Sequence, residues 1–300
     1  MPYVCPPPLT KGDTIGLVTP SSPMFPGRLE AGISFLKKKG FKVKLGTHLQ
    51  DAERFIAGRD EDRAEDLMNF FMDEEVKVIM ATGGGYGSQR TLPFLNYDLI
   101  HANPKWVTGF SDTTSLQLGL LKKAGLVTCS GFVFGDLDSG TPPPSIEQSL
   151  MACLSGKPFQ ITEGKTVHSG IAKGPLIGGN LECLTGLMGT PYQPDFKDCI
   201  LLIEDVGSEP FQVDSRLSQL DLAGIYEQVA GVIFGQFARC SAKYFPDRDG
   251  TVEDVIEEWS SRLKVPCIKE FPYGHVDTRF VLPIGKEVRL NADKKVLTIL

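Results

Sequence analysis

The sequence predicts an α/β protein, with an N-terminal domain built on a parallel sheet and a smaller, β-rich α+β domain after it. Three observations carry this. Through the first half, short apolar runs alternate with segments of helical periodicity, the pattern of right-handed βαβ units. From about Gly140 to Gly174 the composition shifts to Pro, Ser, Gly and Thr, as at a domain boundary. Beyond that stretch the chain is richer in strand-like segments and ends in a hairpin pattern. The expected division is 1–150, a connecting region 151–174, and 175–300.

The elements follow in order. Thr14–Thr19 is an apolar run between Gly12-Asp13 and Pro20-Ser-Ser-Pro23, which reads as a buried strand entering a loop. Leu29, Ile33 and Leu36 recur at helical spacing, and Gly40 closes that helix. Phe41, Val43 and Leu45 alternate with polar residues as a strand does, and Ala64, Leu67 and Phe71 mark a second amphipathic helix. The strand Val76–Ala81, a glycine cluster at 83–87, a strand at Lys105–Phe110 and a helix from Asp112 to Lys123 complete the first half. A short helical piece covers Ile146–Leu154. In the second half Cys199–Ile203 and Gln228–Phe237 read as buried strands, and Val213–Tyr226 carries a helix. Thr251-x-x-Asp254 caps another helix, whose core face is Val252, Val255, Ile256, Trp259 and Leu263. Glu287–Leu290 and Val296–Leu300 flank Asn291-Ala-Asp293 as a hairpin.

Composition excludes several classes. Of 300 residues, 41% are hydrophobic and 23% charged, which is ample for a globular core. The net charge of −6 and the absence of a long Lys/Arg run argue against a nucleic-acid partner. The opening Met-Pro-Tyr-Val-Cys-Pro-Pro-Pro has no basic n-region and no apolar h-region, so no secretory signal is expected. The apolar stretches break well short of ~20 residues, so no membrane span is expected. None of the seven cysteines forms a C-x-x-C pair, and the expectation is reduced thiols in the cytoplasm, with no metal and no cofactor.

The chemistry gathers at Trp106-Val-Thr-Gly-Phe-Ser-Asp-Thr-Thr-Ser115, where Ser111 stands between an apolar strand and a helix start. A serine at such a corner is raised to the carboxyl edge of a parallel sheet, where α/β proteins hold ligands. The helix N-terminus behind it supplies unpaired N–H groups, so the Asp112 amide is an oxyanion donor. The sequence G-F-S-D-T lacks the second glycine of a G-x-S-x-G elbow, and a plain capping role for Ser111 or Asp112 stands beside the nucleophilic one. Ala81-Thr-Gly-Gly-Gly-Tyr-Gly-Ser88 follows a strong strand and is neither a Walker loop nor a dinucleotide fingerprint. Gly84 or Gly85 can supply a second oxyanion amide if its loop adjoins Ser111. Four histidines are present, at 48, 101, 168 and 275, of which His275 lies in a turn at a strand end after Phe271-Pro-Tyr-Gly. Leu201-Leu-Ile-Glu-Asp205 sets two carboxylates at the end of a buried strand, placed to orient an imidazole.

Together and in order, these segments resemble the LD-carboxypeptidase family of serine peptidases, including its microcin C immunity branch. The matching pieces are Gly12-Asp-Thr-Ile-Gly-Leu-Val-Thr-Pro-Ser-Ser-Pro23, Gly84-Gly-Tyr-Gly87, Gly109-Phe-Ser-Asp112 and Gly178-Gly-Asn-Leu181. They continue with Gly189-Thr-Pro191, Ile203-Glu-Asp-Val-Gly207 with Pro210 and Asp214, Gly274-His275, and Leu282-Pro-Ile-Gly285. The resemblance implies a flavodoxin-like N-terminal domain carrying the nucleophile Ser111 and a C-terminal domain carrying Glu204 and His275 as triad acid and base. It implies an oxyanion hole from the amides of Gly85 and Asp112, a homodimer, and no metal. By position, Ser21 and Asn180 are expected at the substrate's terminal carboxylate. The implied substrate is a small peptide, a murein tetrapeptide that loses its terminal D-alanine in peptidoglycan recycling. An aminoacyl-adenylate analogue, as in the immunity branch, is the alternative, and a non-catalytic nucleotide- or peptide-binding protein a third. Four positions depart from the pattern: Gly83 where arginine is frequent, Phe211 for Tyr, Ser215 for Arg, and Arg279 for a smaller polar residue.

Overall fold

A computed structural model describes residues 2–25, 27 and 29–300. The chain forms two units, Met1–Lys157 with Phe280–Gly285 and Pro158–Arg279 with Lys286–Leu300. The first contains β1 (Thr14–Val18), α1 (Leu29–Lys38), β2 (Lys42–Leu45), α2 (Asp60–Met72) and β3 (Val76–Ala81). It continues with α3 (Tyr97–Ala102), β4 (Trp106–Gly109), α4 (Thr113–Ala124), β5 (Thr128–Ser130) and α5 (Pro144–Leu154). The strands pair in parallel in the order β2-β1-β3-β4-β5, and Leu282–Ile284 adds an antiparallel edge beside β5. This is the flavodoxin-like order, with its topological switch point between β1 and β3.

The sequence pattern explains the layering. The interior strands β1 and β4 are buried along their whole length, and β3 everywhere but Lys77, as expected where helices cover a parallel sheet. Strand β2 alternates Lys with apolar residues and lies half exposed at the edge. Helix α4 is buried on almost every side, its leucines 116, 118, 120 and 121 accompanied by Thr113, Thr114 and Gln117. It stops at Gly125, which adopts the left-handed conformation that closes helices.

The second unit contains β6 (Phe159–Thr162), β7 (Lys165–His168), β8 (Ile171–Asn180), α6 (Leu181–Gly186), β9 (Ile200–Val206) and α7 (Pro210–Leu222). Then follow β10 (Gly231–Ala238), α8 (Val252–Arg262), β11 (Cys267–Lys269), β13 (Glu287–Asn291) and β14 (Val296–Ile299), the Leu282–Ile284 strand of the first unit being β12. One sheet runs β6-β14-β13-β8-β9-β10-β11-β7. Its centre, β8 to β11, is parallel, and antiparallel strands extend it on both sides. The stretch 151–174, read from composition as a connection, instead holds the end of α5, the strands β6 and β7 and the start of β8. Short strands joined by tight turns need the same Gly, Ser and Thr that linkers use, so composition alone does not separate the two. Among the described residues, no helix is long and apolar enough to cross a membrane.

One buried cation ties α2 to β4. The Lys105 ammonium donates to the carbonyls of Phe70 (2.6 Å) and Asp73, at the C-terminal end of α2 where the helix dipole favours positive charge. Burial lowers its pKa to about 8, below the 10.5 of an exposed lysine. Below both values the folded state bears the full cost of the buried charge. As pH rises from about 8 towards 10.5, the folded chain sheds this proton first and that cost is relieved. Wild type is therefore expected to gain stability relative to Lys105→Met across that interval, read by urea unfolding. Parallel pH curves for the two proteins would contradict it.

Candidate active site

The first half of the site is a corner. Strand β4 ends at Gly109, Ser111 turns the chain at φ 64, and Asp112 enters the helical region at φ −49 before α4. A non-glycine residue at positive φ costs about 1–2 kcal/mol, so the corner must be held by its surroundings. Thr113 Oγ1 donates to the Phe110 carbonyl at 3.0 Å, and Thr114 N donates to Ser111 O at 2.8 Å. The serine is half-buried.

Asp112 does most of the holding. Its carboxylate is buried and accepts from Ser21 Oγ (2.6 Å), Gly87 N (3.1 Å) and Ser88 N (2.8 Å). Its carbonyl accepts from Ser88 Oγ at 2.6 Å. The loop after β1 and the loop after β3 are thereby fastened to the corner. Arg63 on α2 fastens the same two loops from elsewhere, donating to the carbonyls of Pro20 and Gly87 and pairing with Asp60. Burial pulls the Arg63 pKa down and Asp60 works against that.

The glycine loop lies against the serine. A Cβ at Gly84 would stand 2.9 Å from Ser111 Cβ, and one at Gly85 would stand 2.2 Å from Ser22 Oγ. Gly85 also has φ 103, so it is glycine on both counts. Among the described residues, neither the Gly85 nor the Asp112 N–H has a hydrogen-bond acceptor. Ser22 accepts from Tyr86 N (3.1 Å) and donates to Phe55 O (3.0 Å), which brings Phe55 and Tyr86 edge to face at 5.7 Å. A cavity of about 390 Å³ opens here, lined by residues 22–25, 82–85, 133–135 and Asp138. It occupies the carboxyl ends of β1 and β3, at the switch point.

The second unit holds a carboxylate–imidazole pair. Glu204 lies fully buried on β9, and its Oε2 is 2.8 Å from His275 Nδ1. The segment carrying the histidine is laced to β10: Phe271 N donates to Phe234 O (3.1 Å) and Gln236 N to Tyr273 O (2.7 Å). With Nδ1 donating to the carboxylate, the lone pair of the neutral ring is on Nε2, as a general base requires. Asn180, at the N-cap of α6, donates from Nδ2 to Glu204 Oε1 (3.1 Å) and Asp205 Oδ1 (3.3 Å). Asp205 also accepts from Val206 N (2.8 Å), Ser208 Oγ (3.0 Å) and Arg216 Nη1 (3.0 Å). Burial still pushes its pKa up.

Of the residues expected from sequence, Ser111, Gly85, Asp112 and Ser21 therefore cluster in the first unit, and Glu204, His275 and Asn180 in the second. Two have other occupations than expected. Ser21 is fully buried with its hydroxyl given to Asp112, and the neighbour facing the cavity is Ser22. The Asn180 amide is spent on Glu204 and Asp205. Arg63 and Ser88 were not anticipated. Arg63 shares the i, i+4, i+7 stripe of Leu67 and Phe70, so a charge on the buried face was there to be noticed. His48, Asp62 and Glu65 bring three possible metal-ligand atoms within 4.8 Å; His48 Nδ1 bonds Asp51 at 2.8 Å and its Nε2 lies 4.0 Å from Glu65.

Comparison with known proteins agrees with these two halves. The profile of the LD-carboxypeptidase N-terminal domain matches residues 15–131, and that of the C-terminal domain matches 173–290. The chain belongs to the LD-carboxypeptidase family. Membership makes it a hydrolase of the carboxypeptidase class. It is 33% identical to the probable murein peptide carboxypeptidase of Bacillus subtilis, over 97% of this chain and 92% of that one. The microcin C7 self-immunity protein MccF of Escherichia coli is 29% identical over 97% of this chain and 94% of its own length. MccF in complex with aspartyl sulfamoyl adenosine superposes with a TM-score of 0.89 at 27% identity, covering 99% of this chain and 98% of that one. The muramoyltetrapeptide carboxypeptidase of Oxalobacter formigenes gives 0.87 at 27% identity, covering 95% and 97%.

In this member of the LD-carboxypeptidase family, Asp112→Asn tests the fastening of the corner. It keeps the shape but replaces one carboxylate oxygen with an NH2, which would face either Ser21 Oγ and Ser88 N or Gly87 N, donor against donor. Turnover is expected to fall roughly 10–100-fold, with a melting temperature lower by a few degrees. Unchanged turnover would show that the carboxylate is dispensable to the corner.

Proposed function

We propose that the protein is a serine-type LD-carboxypeptidase that releases the terminal D-alanine of a murein tetrapeptide, in cytoplasmic peptidoglycan recycling. The supporting observation is the pairing of two specialised features: a serine held at φ 64 beside a glycine loop, and a buried Glu204 bonded to His275 Nδ1 at 2.8 Å. The chemistry requires His275 Nε2 to reach the Ser111 hydroxyl. His275 then takes the hydroxyl proton as Ser111 Oγ attacks the carbonyl carbon at the L-centre of the third residue. The oxyanion accepts from the Gly85 and Asp112 amides. Collapse breaks the C–N bond, and His275 returns the proton to the departing amine of D-alanine. Water, deprotonated by His275, attacks the acyl-enzyme and restores the serine. Glu204 stays ionised throughout and stabilises the imidazolium.

A second reading keeps the same residues and changes the substrate to an aminoacyl-adenylate analogue. Its support is the likeness to MccF bound to aspartyl sulfamoyl adenosine, together with Gly83 where arginine is frequent.

The test is D-alanine release from purified tetrapeptide, with aminoacyl sulfamoyl adenosine assayed in parallel. Ser111→Ala and His275→Gln are each expected to cut turnover by roughly 10³-fold or more, and Glu204→Gln somewhat less. Release undiminished in Ser111→Ala overturns the mechanism. Turnover of the adenylate analogue alone selects the second reading. No turnover of either, with no labelling of Ser111 by a fluorophosphonate, would indicate a binding protein.

A further inference from the structure

Glu204 and Asp205 are consecutive on β9, and both are fully buried. The proposed chemistry employs Glu204, and Asp205 has no part in it. A second acid in that place is costly twice over, through its own desolvation and through repulsion by Glu204. Burial pushes the Asp205 pKa up and Glu204 adds to that, against the Val206 amide, Arg216 and Ser208. An uncharged residue of similar size would avoid both costs, so packing alone does not call for an acid at 205.

The bonds around Asp205 lead towards the histidine. Its Oδ2 accepts from Ser208 Oγ and Arg216 Nη1, both at 3.0 Å, and Arg216 Nη1 also donates to Ser208 Oγ at 2.8 Å. Its Oδ1 accepts from Val206 N at 2.8 Å and from Asn180 Nδ2 at 3.3 Å. The Asn180 Oδ1 is held by Cys183 N of α6 at 3.2 Å, which fixes which way round the amide lies. Nδ2 then faces both acids, with one proton for Asp205 and one for Glu204 Oε1 at 3.1 Å. The other Glu204 oxygen, Oε2, is the one 2.8 Å from His275 Nδ1. A continuous series of polar contacts thus runs from Arg216 on α7 through Asp205, Asn180 and Glu204 to His275.

We infer that Asp205, with Arg216 as its counter-charge, is a positioning residue that holds the Asn180 amide, and through it the Glu204 carboxylate, in the orientation His275 requires. The inference rests on the Ser111, His275 and Glu204 mechanism and extends it to the groups behind the acid. An ionised acceptor binds an N–H roughly twice as strongly as a neutral one, which gives the charge at 205 a purpose. Without Arg216, burial and Glu204 favour the neutral acid, and the hold on Asn180 weakens.

The experiment follows the His275 Nδ1 proton by NMR in protein labelled at its four histidines, the signal being assigned by its loss in His275→Gln. In wild type this proton is expected downfield and slow to exchange, as for an imidazole N–H bonded to a buried carboxylate. Asp205→Asn and Arg216→Met are each expected to move the signal upfield or broaden it away. Each is also expected to cut kcat for D-alanine release about tenfold and leave KM within about twofold. Arg216→Lys, which keeps the charge, is expected to recover most of the signal and the rate. Melting curves identify the variants that remain folded, and the less buried Arg216 carries the test should Asp205→Asn not fold. A folded Asp205→Asn or Arg216→Met with the wild-type signal and kcat overturns the inference, as does a loss confined to KM. If wild type releases no D-alanine, the carboxypeptidase reading fails, and the proton signal alone decides whether Asp205 positions the pair.

Discussion

Ser111 stands in a backbone region that an L-residue enters only at a cost of about 1–2 kcal/mol, and such a corner persists where neighbours over-determine it. Here the neighbour is a carboxylate. Asp112 is buried and takes hydrogen bonds from three donors on two other loops, Ser21 on one and Gly87 and Ser88 on the other. A buried charge needs such satisfaction, because an unmet carboxylate would cost more than the fold can spare. The requirement works in both directions. The donors stabilise Asp112, and Asp112 fixes where the donors' loops run. The Gly85 amide, the Ser22 hydroxyl and the cavity rim inherit their positions from that arrangement.

The second unit solves a harder electrostatic problem. Glu204 and Asp205 are adjacent and both are buried. Their charges are separated by giving each a different partner. Arg216 and Ser208 serve Asp205, His275 serves Glu204, and the Asn180 amide bridges the two. Burial still raises the Asp205 pKa, so the compensation there is incomplete. An asparagine is suited to the bridge because it donates two protons without adding charge. The bridge holds the Glu204 carboxylate that meets His275.

Much of this was legible in the sequence, and the reasons are physical. Apolar runs such as Thr14–Val18 and Val76–Ala81 are buried on both faces, so continuous hydrophobicity marks them. The helix after Thr251 announces itself by a capping box that the structure contains, with Thr251 and Asp254 exchanging hydrogen bonds. Ser111 was readable because a strand, a serine and a helix start follow one another within a few residues. Asn180 and Ser21 were expected at a substrate carboxylate, and in the structure their side chains bond to Glu204 with Asp205 and to Asp112. Side-chain bonds between Ser21 and Asp112 span 91 positions, and no local pattern encodes a contact of that range. The strands β6 and β7 were missed for the opposite reason, since four-residue strands in a Gly- and Thr-rich stretch carry too little periodicity to separate from a linker.

A common geometric rule places the candidate residues of both units. Ser111 follows the carboxyl end of β4, Ser22 and Gly85 follow those of β1 and β3, and Glu204 and Asn180 lie at the carboxyl ends of β9 and β8. In parallel sheets this edge is where the chain must leave the ladder and turn. Backbone N–H groups released there are available to a ligand, and side chains can be presented without interrupting strand pairing. The glycine run after β3 shows how finely the edge is divided. Gly84 and Gly85 are fixed by the close approach of Ser111 and Ser22, whereas Gly83, one residue earlier, answers to no contact within 4 Å. The backbone at 84 and 85 is thus fixed by its neighbours, while position 83 is open to a side chain without disturbing the corner at Ser111.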